Sequence, residues 1–150
     1  MAMLVGCGTM LATIVVQGAL ATLAVEVMGS LLAQRLIGVS LLRNFLATVA
    51  LVLALLIGHL AQVALWAIIF MAAGEFTELP TAFYHSAVNY TTLGYGDIIM
   101  SARWRLLGPL EAASGVLAFG WSTAVIVAIV MRLARTRQLA QMRRPGHPAG

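Results

Sequence analysis

Three stretches of this chain carry no Asp, Glu, Lys or Arg: 1–25, 44–74 and 112–131. A helix needs about 20 apolar residues to cross the ~30 Å hydrocarbon core of a bilayer. At about 1.5 Å per residue the middle stretch can reach roughly 45 Å, so it spans with its ends among the headgroups or with tilt. The last stretch is about one bilayer long. The first has no basic residue ahead of it, unlike a secretory leader, and reads as a retained helix over 4–32. Composition agrees: 9% of residues are charged, against roughly 25% in soluble proteins. The chain is therefore expected to be an all-α membrane protein with three spanning helices.

Between the second and third spans, 80–90 can form a helix of only about 16 Å, too short to cross. Pro80 suits a first helical turn, with Thr77 or Glu78 as capping candidates. The Thr- and Gly-containing segment that follows cannot continue the helix. Irregular backbone at membrane depth is tolerated only where it is buried in protein or lines an aqueous path. The segment is thus a re-entrant loop.

Arginine supplies the whole basic side. Arg35 and Arg43 lie between the first two spans, and Arg132, Arg135, Arg137, Arg143 and Arg144 follow the third. Three spans put these seven on one side, with Arg103 and Arg105 opposite. The positive-inside rule then predicts an outer amino terminus and re-entrant loop and a cytoplasmic carboxyl tail. The tail, 136–150, is basic, ends in Pro and Gly, and reads as disordered. The arginines form no single stripe, which argues against nucleic acid. Cys7 is the only cysteine, so an intrachain disulfide or a cysteine-rich metal site is excluded. No nucleophile–base pair or metal-ligand cluster is visible, and an enzyme is not expected.

The re-entrant loop contains Thr91-Thr92-Leu93-Gly94-Tyr95-Gly96-Asp97. A pore that strips water from a potassium ion must offer substitute oxygens at little net cost. Backbone carbonyls serve if successive residues aim them at one axis, and this requires alternating right- and left-handed conformations. Glycine adopts the left-handed one freely, which accounts for Gly94 and Gly96. The Thr92 hydroxyl and the carbonyls of Thr92, Leu93, Gly94 and Tyr95 are the expected K+ ligands, with Gly96 completing the scaffold and Asp97 placing negative charge at the outer mouth. Thr-x-Gly-Tyr-Gly-Asp arises by chance in roughly one chain of this length in ten thousand.

These residues resemble the filter of bacterial potassium channels of the two-helix-plus-pore-loop family, whose TVGYG loops form carbonyl rings. Leu93 stands where that family usually has Val. Residues 115–124, Gly-Val-Leu-Ala-Phe-Gly-Trp-Ser-Thr-Ala, resemble its inner helix. The resemblance covers about 44–135 and implies an outer helix (44–74), pore helix (80–90), filter (91–97) and inner helix (109–133), preceded by an added helix and cytoplasmic connection over 1–43. One pore loop per chain and a fourfold filter imply a C4 homotetramer. The expected partners are three further copies and membrane lipid, in a bacterial inner membrane. No soluble partner is implied, and no cofactor beyond the conducted ions. The competing readings are a weakly selective cation channel, which Tyr95 argues against, and a non-conducting scaffold with a filter-like fold.

Several residues around the motif have more than one reading. Gly115 aligns with the family's hinge glycine, although glycine also serves close helix packing. Gly120 and Thr123 are further gating candidates, Thr123 as a cavity-facing residue. Glu111, at the amino end of the last span, is either a structural charge or a residue behind the filter that tunes it. His59 and Gln17 sit at similar depth and are expected to pair, the other reading of His59 being a proton sensor. Tyr84 and His85 replace the tryptophans of the best-known pattern and are candidate supports for Tyr95, while Val88 replaces its buried glutamate, so a carboxylate beside the filter is expected to be missing. Neither a voltage-sensor row of arginines nor a ligand-binding domain is legible, and the gating stimulus stays open.

Overall fold

A computed structural model describes residues 1–142. It contains four helices: α1 (Ala2–Ala33), α2 (Leu41–Ala72), α3 (Leu79–Tyr90) and α4 (Leu107–Met142), and no strand among the described residues. By length and composition α1, α2 and α4 can each cross a membrane, and α3 cannot. The architecture is therefore the all-helical one expected of a multi-pass membrane protein.

Helix ends follow local chemistry. Pro80 falls in the first turn of α3, where its missing N–H costs nothing. Glu78 occupies the N-cap position, but its side chain makes no capping bond. After α2 the chain turns through Gly74 at φ +81°, and Glu75 accepts bonds from the Ser101 N–H (2.7 Å) and hydroxyl (2.5 Å). That contact ties the start of the re-entrant segment to its return.

The last helix is longer than expected. It runs to Met142 rather than ending near 133, so 136–142 are helical and not disordered; the remainder of the expected tail, 143–150, lies outside the described residues. Arg, Leu, Gln and Ala are all good helix formers, and the first breaker is Pro145. This extension also has something to pack on. A β-carbon on Gly38, in the α1–α2 connection, would stand 2.9 Å from the Thr136 methyl and from Leu32, and the Gly38 N–H is bonded to Asn44 Oδ1 at 2.6 Å.

Two apolar clusters are stacked along the bundle. One, near the α1–α2 connection, gathers Met28, Leu51, Leu55, Val125, Ile129 and Leu133. The other, around α3, gathers Trp66, Phe70, Tyr90, Met100, Trp104 and Leu107. Between them lie buried Gln17, His59, Gln62 and Ser122, a polar layer at the middle of the spans. Large apolar side chains such as Leu4, Leu11, Val15, Leu53 and Ile57 point outward, as lipid-facing positions require.

Candidate functional site

The motif begins where α3 stops. The N–H groups of Thr92, Leu93 and Gly94 bond the last carbonyls of α3, at 2.8 Å to Asn89 and at 2.9 and 3.3 Å to Val88. The chain then proceeds with φ of +60° at Thr92, +59° at Gly94 and +72° at Gly96. Every second residue is left-handed, the alternation that turns successive carbonyls to one side. The glycines were expected to do this; Thr92 extends the pattern by one step. A β-branched residue there is costly, about 1–3 kcal/mol, and persists only because its neighbours hold it. The same every-other-residue rule, run backward from Gly94, would have pointed to Thr92.

Leu93 is 54% exposed and Tyr95 65% exposed on the single chain. Among the described residues, no backbone N–H bonds to the carbonyls of 92–96. These oxygens remain available to a ligand, and the irregular segment lies uncovered beside helices suited to a membrane.

One side chain outside the motif is hydrogen-bonded to it. The Tyr84 hydroxyl donates to Asp97 Oδ2 at 2.7 Å. This bond, with the carboxylate charge, raises the phenol above its ordinary value, because a phenolate would face an acid group. No hydrogen bond or ring contact joins His85 to Tyr95 among the described residues. His85 turns inward, with its ring centroid 5.4 Å from Phe70 and 5.0 Å from Phe76, and its Nε2 lies 2.9 Å from the Asn89 amide. Burial lowers its pKa, against the opposing pull of Asp97 and Glu75. Within one chain, then, Tyr84 is hydrogen-bonded to Asp97 and His85 contacts Asn89, and neither makes a hydrogen bond to Tyr95 among the described residues. The Thr91 hydroxyl folds back onto the Ala87 carbonyl at 2.7 Å.

Of the two readings of Glu111, a structural charge or an acid behind the motif, the structure gives it a fully buried seat against α3. Glu111 is 0% exposed and hydrogen-bonded to Ser86 on α3, and the Ser86 hydroxyl also contacts the Val63 carbonyl at 2.8 Å. Val88 does lack the acid, but a residue from another helix places one behind α3. Gly115 lies where α4 passes the end of α3, and a β-carbon there would sit 1.9 Å from the Tyr90 carbonyl oxygen. The packing role is thus plain, and α4 continues through Gly115 without interruption. Gly120 has open space beside it, and Thr123 is exposed with its hydroxyl bonded to the Phe119 carbonyl.

His59 and Gln17 are joined through Ser122 rather than directly. Gln17 Nε2 donates to Ser122 Oγ at 2.8 Å, and Ser122 lies 3.0 Å from His59 Nε2. His59 Nδ1 is 3.0 Å from the Tyr90 hydroxyl, which donates to Gln62 Oε1 at 3.2 Å; Gln62 Nε2 closes the ring on Gln17 Oε1 at 2.8 Å. Counting donors sets the direction. Ser122 accepts from Gln17, so its one proton goes to His59 Nε2, and the imidazole proton sits on Nδ1 and goes to Tyr90. Each group donates once and accepts once, across all four helices. Gln62, Ser86, Tyr90 and Ser122 were missed as site residues. Their signal was polarity inside apolar helices, where each such group needs a partner.

Among the described residues no three His, Cys, Asp or Glu side chains gather as a metal site. Comparison with known proteins places the geometry in context. The family model described as "Ion channel" matches residues 49–132. The A-type voltage-gated potassium channels KCND3 of Rattus norvegicus, Oryctolagus cuniculus and Homo sapiens are each 35% identical over 74 residues, covering 49% of this chain and 11% of theirs. The matched region is thus about a tenth of the length of those relatives. No solved structure matches the chain. The family match begins within α2 and leaves α1 outside it.

Proposed function

The chain belongs to the ion channel family, and on that premise we propose that it conducts potassium passively through a filter made by residues 92–96. The observation that carries this reading is the left-handed backbone at Thr92, Gly94 and Gly96. It lets consecutive carbonyls face one axis, where they replace the ion's hydration shell. The ligands are the Thr92 hydroxyl and the carbonyls of Thr92, Leu93, Gly94 and Tyr95. Asp97, held by Tyr84, concentrates cations at the mouth.

One chain supplies one wall of such a pore. Four copies around a common axis bring four walls together and cover Leu93 and Tyr95, which are exposed on the single chain. Gly120 and Thr123, both on an open face of α4, would line the cavity below the filter. The distribution of arginines supports an outer amino terminus and a cytoplasmic end of α4. Relatives described as potassium channels favour potassium over other cations for this site.

Flux of K+ and Na+ into proteoliposomes holding the purified chain, with barium as blocker, tests the proposal. Barium-sensitive K+ flux far above Na+ flux is the expected result. Equal fluxes would replace it with a weakly selective cation channel, and no flux with a non-conducting scaffold.

A further inference from the structure

Helix α1 lies outside the region matched by the ion channel family, yet it enters the polar ring at the foot of the filter. Gln17 is 2% exposed and sits midway along α1, where an unbonded amide would be costly. A β-carbon on Gly6 would meet Leu110, and one on Gly18 would meet Trp121, while the buried Thr9 and Thr13 turn their hydroxyls back onto the Val5 and Met10 carbonyls of α1 itself. Gln17 is the α1 side chain whose hydrogen bonds cross to other helices.

Its position in the ring gives it leverage. The Gln62 side-chain amide presents Oε1 to Tyr90 while its Nε2 donates to Gln17 Oε1. Without that acceptor the Gln62 amide has no reason to keep its oxygen toward Tyr90. Gln17 also donates to Ser122, which leaves the Ser122 proton for His59 Nε2 and so keeps the imidazole proton on Nδ1, where it is donated to Tyr90. Both routes converge on one hydroxyl. Tyr90 is the last residue of α3, directly before Thr91, and its carbonyl oxygen is already pressed against Gly115. Held at its ring end and at its backbone, Tyr90 has little freedom, and the start of the filter inherits that restriction.

We propose that Gln17 is a positioning residue for the filter: through Gln62 and Ser122 it orients Tyr90, so that the added helix α1 takes part in ion selection without touching an ion. The inference rests on residues 92–96 being the filter. It assigns α1 a task within the pore domain, in addition to anchoring it in lipid.

The test uses the full chain in proteoliposomes with Gln17→Leu, Ser122→Ala, the double variant, and Val15→Ala at an outward-facing position of α1. Two readouts are taken: the K+-to-Na+ flux ratio, and hydrogen exchange of the amides of 92–94. Gln17→Leu is expected to lower the flux ratio about fivefold, the scale of two membrane-buried hydrogen bonds. It should also speed exchange at 92–94 about tenfold. The double variant should add little to Gln17→Leu, because both act on one network, and Val15→Ala should match wild type. Should Gln17→Leu fail to assemble, Ser122→Ala carries the same comparison from the α4 side. A wild-type flux ratio with wild-type exchange in these ring variants overturns the inference. A wild-type chain that carries no K+ sinks the conduction proposal by itself, and the exchange readout then decides the role of Gln17.

Discussion

A β-carbon on Gly115 would lie 1.9 Å from the carbonyl oxygen of Tyr90, so α4 and the end of α3 meet at a point with room only for a hydrogen atom. The contact bears on the motif, which starts at the next residue, Thr91. A fixed backbone oxygen cannot yield as a flexible side chain does, and the two helices would have to separate. Overpacking of this kind costs about 1–3 kcal/mol or more.

Gly115→Ala is therefore expected to lower the thermal unfolding midpoint by several degrees and to abolish selective flux. Gly120→Ala, with open space beside it on the single chain, should leave the folding of that chain intact. Circular dichroism melts in detergent give the comparison. A Gly115→Ala variant that melts with wild type would remove the contact from consideration.

The bond between Tyr84 and Asp97 predicts an alkaline signature. The phenol is raised from its ordinary 10.0, chiefly by that bond, so Tyr84 stays protonated at pH values where a free tyrosine ionises. The bond's contribution is present below the ordinary value and disappears as pH climbs through the raised one. Replacing Asp97 by Asn should bring the Tyr84 titration back toward 10.0. Ultraviolet difference titration, with Tyr84→Phe as the blank, measures it; equal midpoints in both backgrounds would count against the bond.

Acid acts in the opposite sense on His85. Burial holds its pKa below the ordinary 6.5, so the unfolded chain takes up a proton more readily than the folded one. The stability that neutral His85 contributes is complete above 6.5 and drains away as pH falls through the lowered folded-state value. His85→Phe should flatten the dependence of melting temperature on pH below neutrality, as well as altering filter stability through the lost contact with Asn89. Parallel melting curves across pH for the two proteins would refute this role.

Ser86 stands between Glu111 and the Val63 carbonyl. Ser86→Ala leaves a fully buried carboxyl group without that partner, at a cost of about 1–3 kcal/mol. Glu111→Gln keeps the shape and a hydrogen-bonding amide, and should be milder than Glu111→Ala, which also opens a cavity. Denaturation of the detergent-solubilised protein ranks the three. Single-channel records then separate packing from tuning: unchanged conductance and pH response in Glu111→Gln would assign Glu111 to packing alone.

Much of the architecture is legible in the sequence. Charge-free stretches located three spans, the short Pro80 segment located the re-entrant helix, and Gly94 and Gly96 marked the left-handed steps. These are local properties: segment length against bilayer thickness, and the backbone freedom of glycine. Extension of α4 to Met142 was not legible, because a basic, polar composition hid good helix formers whose inner end packs on Gly38.

Partnerships belonged to the tertiary structure. Polarity at Gln17, His59, Gln62 and Ser122 announced that each needed a hydrogen bond, but not with which residue. Gln17 and Ser122 are 105 positions apart and meet only because α1 seats on α4. Likewise, the sequence left Glu111 with two readings, and only the crossing of α4 and α3 set it against Ser86. The sequence by itself determined which segments are long and apolar enough to cross a membrane and where glycine takes the backbone left-handed, since both depend on neighbours along the chain. Only the fold decided how that backbone is held, since helix packing brings distant residues within the few ångströms over which a hydrogen bond or a steric contact acts.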